Sequence, residues 1–151
     1  MKSIFKAFEL IEEYEDDCDL LGTVSEEEVR KAENRLGLVF PDSFRLFVLK
    51  YGLGDIFSEE IYGVGIEPSG IPSTIWITEL LRKEMELASN LLVIYNLGYN
   101  NQYYAIDCDE GDSHGEVYSF VEGIPYEKQE LKLEFDSFAD FLLNLLEENT
   151  N

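Results

Sequence analysis

Apolar residues in the first 52 positions recur at helical spacing, and from residue 54 the spacing shortens and breaks. Ile4, Phe8, Ile11 and Tyr14 form one stripe, which predicts a helix from Ser3 to about Glu15. The acidic patch Glu15-Asp16-Asp17-Cys18-Asp19 ends it, because carboxylates oppose the negative end of a helix dipole. Ser25-Glu26-Glu27-Glu28 reads as a capping box opening a second helix, with Val29, Ala32 and Leu36 inward. Gly37 stands where a left-handed C-cap belongs. After the extended link Leu38-Val39-Phe40-Pro41, a third helix starts near Asp42 or Ser43. It carries Phe44, Phe47, Val48 and Tyr51 on its apolar face and closes at Gly52.

Beyond Gly54, Asp55-Ile-Phe and Ile61-Tyr-Gly-Val-Gly-Ile66 read as short strands, followed by an irregular segment around Pro68, Gly70 and Pro72. A fourth helix begins at Ser73 or Thr78 and runs to Ala88, with Ile77, Leu80, Leu81, Met85 and Ala88 inward. Leu91-Leu-Val-Ile-Tyr95 is apolar throughout, as suits a central strand. Turn residues Gly98-Tyr-Asn-Asn101 separate it from strands over 102–107, 115–121 and 131–135. Asp136 or Ser137 caps a final helix built on Phe138, Phe141, Leu142, Leu145 and Leu146. Helices first, strands in the middle and a helix last predict one α+β domain over 1–151 with a mainly antiparallel sheet.

The densest chemistry lies in YYAIDCDEGDSHGEVYSF, residues 103–120, which holds the single histidine and one of two cysteines. Counted as a calcium loop from Asp107, it puts Gly111 at position 5, Asp112 at 6 and Tyr118 at 12, failing three requirements. A structural zinc site wants four nitrogen or sulfur ligands, and only Cys108 and His114 are local. A Cys108–His114 nucleophile is disfavoured because neighbouring carboxylates oppose a thiolate. A hairpin fits better: Tyr104, Ile106 and Cys108 share a face with Val117 and Ser119, while Tyr118 and Phe120 take the other. Trp76 reads as partial core, with an interface anchor as the alternative. Gly63-Val-Gly65 lacks the third glycine and following helix of a dinucleotide site.

Charge changes the picture more than composition does. Thirty-two acids oppose eleven bases for a net −21, and thirteen acids against two bases fall in residues 101–151. Such a chain disfavours direct nucleic-acid binding and adhesion to anionic membranes, both of which need clustered Lys and Arg. It would attract a basic protein partner. MKSIFKAFELIEEYEDD has no signal-peptide character and no run approaches a membrane span. A cytoplasmic protein with two reduced thiols is expected. The partner-binding candidates are Asp107, Asp109, Glu110, Asp112 and Glu116, with Tyr99 and Tyr103 as anchors.

Residues 24–52, VSEEEVRKAENRLGLVFPDSFRLFVLKYG, resemble the signature of the SUKH superfamily, proteins similar to the yeast Smi/Knr cell-wall synthesis regulator. The matching positions are Ser25-Glu26-Glu27, Glu33, Leu36-Gly37, Phe40-Pro41, Phe44-Arg45, and Gly52 with Gly54. Leu91–Ile94, Tyr104–Asp107, Gly115–Tyr118 and Ser137–Leu142 also match, in order. The resemblance implies helices packed around a strongly bent antiparallel sheet. It also implies a bacterial immunity protein that binds a cognate polymorphic toxin domain, often a nuclease, without catalytic residues or cofactors. An interaction scaffold in cell-wall or stress regulation is the alternative, and a small metal-dependent enzyme using the acidic hairpin is the rival from another class.

Overall fold

A computed structural model describes residues 2–109 and 115–150. The order is α1 (Lys2–Glu13), a 3-10 turn (Glu15–Asp17), β1 (Cys18–Leu20), α2 (Glu26–Leu36), α3 (Asp42–Tyr51), β2 (Gly54–Ile56) and β3 (Glu59–Ile61). Then follow α4 (Thr74–Met85), β4 (Leu91–Asn96), β5 (Gln102–Asp107), β6 (Val117–Val121), a 3-10 turn (Tyr126–Lys128), β7 (Lys132–Phe135) and α5 (Phe138–Thr150).

Local signals set the helix ends. Ser25 Oγ accepts from the Glu28 amide at 3.2 Å, and Gly37 closes α2 at φ 71°. Ser73, not Thr78, opens α4, its hydroxyl accepting from the Trp76 amide at 3.3 Å. Ser137 performs the same task for α5 at 3.1 Å from the Asp140 amide.

The fold is α+β, and its bent sheet takes the form of two antiparallel ladders, β1-β2-β3 and β4-β5-β6-β7. The Tyr62 amide links them, donating to the Ile94 carbonyl at 2.9 Å. Each face of the large ladder covers a core. Leu92, Ile94, Ile106 and Val117 pack with α1, α2, α3 and α5, where Phe44 and Phe138 meet edge-on at 5.0 Å. Leu91, Val93, Ala105 and Phe120 pack with Ile77, Leu81 and Met85 of α4, and Trp76 lies partly buried against this second core. Burying each such large apolar side chain contributes roughly 1.5–3 kcal/mol. The hairpin faces fall as the alternation predicts, with Tyr104 opposite Ser119 and Tyr103 opposite Phe120.

Three expectations change. The apolar run at 91–95 is buried on both faces, yet β4 ends its ladder instead of lying centrally. Its outer edge is sealed by α4: Thr74 Oγ1 donates to the Val93 carbonyl, and Thr78 Oγ1 accepts from the Val93 amide at 3.0 Å. The strand expected over 61–66 stops at Ile61, because the Gly63 amide turns to the Pro72 carbonyl and the Val64 amide to Gly52. Cys18–Leu20, read as the acidic end of a helix, forms a strand. Gly54 permits it: at φ 136°, a Cβ there would lie 2.2 Å from the Asp19 carbonyl oxygen.

Candidate functional site

The candidates chosen from the sequence divide between the two ends of β5. Asp107 is occupied internally: its Oδ1 accepts from Asn90 Nδ2 at 2.8 Å and from the Asp109 amide at 2.9 Å. Glu116 accepts from the Tyr118 hydroxyl at 3.0 Å. Asp109 is exposed, while Glu110, Asp112 and His114 lie outside the described residues. At the opposite end Tyr99 is 61% exposed on the β4–β5 turn. The Tyr103 ring is buried against Phe120 at 5.6 Å. Only its hydroxyl turns outward, donating to Glu122 at 3.3 Å. A six-residue strand spans about 20 Å, so the hairpin acids and Tyr99 do not form one site.

Cys108 behaves as a small buried apolar group. Burial foremost, then Asp107 and Glu33, push its thiol well above the ordinary range. It lines a concavity of about 380 Å³ with Phe40, Pro41, Ser43 and Ser137. A thiol so raised is not an activated nucleophile. Nor do the described residues bring together three His, Cys, Asp or Glu side chains able to hold a metal ion.

A different feature emerges on the small ladder. Its register places Asp19 opposite Asp55, and Asp55 opposite Glu60. Side chains alternate along strands, so Ile56 and Ile61 enter the main core while the three carboxylates share the other face. Asp19 is exposed, and Asp55 and Glu60 are half-buried. Directly opposite residues have Cβ atoms about 4.5–5.5 Å apart, and like charges so placed repel. Burial foremost, then Asp55, push the Glu60 carboxyl above its ordinary value. The ion pairs among the described residues use Glu12, Glu27, Glu33, Glu79, Glu134 and Glu147, leaving this row uncompensated.

The surroundings extend the row at both sides. Asp16, Asp17 and Ser58 share a concavity with Asp19 and Asp55. On the other side lies Tyr62, whose hydroxyl is pushed up to about 12 by its burial first, then by Tyr103 and Glu60. The three carboxylates stand at positions 19, 55 and 60, and nothing short of strand register brings them together.

The signature corner has the opposite character. Glu33, 7% exposed, accepts from the Phe40 amide at 2.7 Å through one oxygen and from the Arg45 guanidinium through the other. This clamp fixes the α2–α3 link and seats Phe40 and Phe44 in the core. The SUKH family model described as SMI1-KNR4 cell-wall matches residues 7–147. The chain belongs to the SUKH family. A search of curated proteins finds no match. In this SUKH chain, the signature residues Ser25, Glu33, Gly37, Phe40 and Gly54 cap, clamp and close-pack. None of them forms part of the carboxylate row. No described helix is long and apolar enough to cross a membrane.

Proposed function

We propose that this SUKH domain is an immunity protein, acting in the cytoplasm without catalysis, that sequesters a cognate toxin domain, specifically a basic nuclease. The observation that carries the reading is the uncompensated row Asp19, Asp55 and Glu60 in a chain of net charge −21. A nuclease presents cations to phosphates, so an anionic protein competes for that surface and is drawn to it by long-range attraction. Family membership supports protein binding as the mode of action.

Co-expression with a toxin domain encoded beside this gene rescues growth under this reading. The purified pair forms a complex whose association rate falls steeply between low and physiological salt. An association rate indifferent to salt would remove the electrostatic part of the reading. Failure to bind any neighbouring toxin domain would favour the second reading, an interaction scaffold, which the family's cell-wall description supports.

A further inference from the structure

We infer that the concavity between the first turns of α3 and α5 binds a small aliphatic α-amino acid as its zwitterion, independently of any toxin partner. Pro41, Asp42 and Ser43 open α3 on one side of it, and Ser137 and Ala139 open α5 on the other. Two helix starts therefore converge on one space of about 380 Å³, a size usual for small-molecule sites. The residue that marks it as a site is Ser43. It is only 8% exposed, it lines the concavity, and its hydroxyl has no hydrogen-bond partner among the described residues. Leaving a buried hydroxyl unpaired is costly, and the space it lines is where a partner can enter.

The groups around Ser43 decide what fills the space. Pro41 gives α3 no side-chain cap, and the Arg45 amide is the first of that helix to bond back, to the Pro41 carbonyl. The Asp42 and Ser43 amides are thus donors without an acceptor among the described residues, at the positive end of a helix dipole. At α5 the Ser137 hydroxyl is taken by the Asp140 amide, which leaves the Phe138 and Ala139 amides in the same state. Donors from two helix starts, with a hydroxyl between them, suit a carboxylate.

The lining also carries the exposed carboxylates of Asp42 and Asp109. Together with a chain charge of −21 they repel a phosphate or a bare carboxylate and attract an ammonium. A ligand with one carboxylate and one ammonium meets both demands, and brings no net charge into the protein's field. Val39, 53% exposed, joins Pro41, Ala139 and the protonated Cys108 thiol in an apolar wall. That wall suits an aliphatic side chain, so L-leucine is the probe.

The full chain is titrated with L-leucine by calorimetry, and its backbone amides are followed by NMR. Saturable binding is expected, with shifts centred on Asp42, Ser43, Phe138 and Ala139. Isocaproate, which lacks the ammonium, and L-leucinamide, which lacks the carboxylate, should each bind about tenfold more weakly or worse. Ser43→Ala should weaken leucine about tenfold while melting with wild type. Asp109→Asn, a change at an exposed position, should narrow the gap between leucine and isocaproate, and Glu84→Gln on α4 should leave it unchanged. No saturation below about 10 mM leucine would overturn the site. So would shifts centred elsewhere, leucinamide binding as well as leucine, or a folded Ser43→Ala protein of undiminished affinity.

Discussion

Glu33 and Glu60 show how one residue type serves two ends. Glu33 is buried, and both its oxygens are satisfied, by the Phe40 amide and by Arg45. Glu60 is half-buried and faces Asp55, another carboxylate. The first arrangement holds the α2–α3 corner together and coincides with the SUKH signature. The second strains the small ladder electrostatically and has no part in that signature. The first kind of residue holds the fold together from within, and the second faces outward.

This contrast can be broken most sharply at Glu33. Replacing Glu33 with Ala leaves the Arg45 charge and the buried Phe40 amide without their acceptor, and should lower stability by about 3–5 kcal/mol in urea unfolding. A smaller loss, about 1–3 kcal/mol, is expected for Thr78→Val, which strips the Val93 amide of its acceptor. At the row the sign reverses: Asp55→Asn should raise stability by roughly 0.2–1 kcal/mol, read as a higher melting temperature at low salt. A destabilised Asp55→Asn protein would contradict the repulsion inferred from register.

The smallest effect is one of pH. The folded state holds the Glu60 carboxyl above its ordinary 4.5, so ionised Glu60 opposes folding at neutral pH. That opposition disappears as pH falls through the raised folded value. Relative to Glu60→Gln, wild type should therefore gain melting temperature as pH falls from 7 towards the ordinary 4.5. A difference constant with pH would show that neither burial nor Asp55 raises the Glu60 carboxyl.

The helices were legible because their signals are local. Ser25, Gly37 and Ser137 each act within a turn of their own position. β5 and β6 were legible through alternation. β1 was not, since Cys18-Asp19-Leu20 is too short for its alternation to be read and becomes a strand only against β2, some 35 residues later. The carboxylate row was invisible for the same reason. Residues 107–116 are dense in acids along the chain, yet one oxygen of Asp107 serves Asn90 and the Asp109 amide, and one of Glu116 serves Tyr118. Tyr103 stood out as one of several tyrosines clustered around the sheet, and its period-two position turns it towards Phe120.

The threonine seal on β4 has a consequence for how copies of this protein coexist. β4 carries the most hydrophobic stretch of the large ladder, and an open flank there would invite a second molecule to extend the ladder, the first step towards fibrous aggregates. Two hydroxyls from α4 occupy the Val93 groups that such an intruder would need. The ladder's remaining free flank is β7, where Lys132 and Glu134 bracket the exposed Leu133 and put charge on the margin.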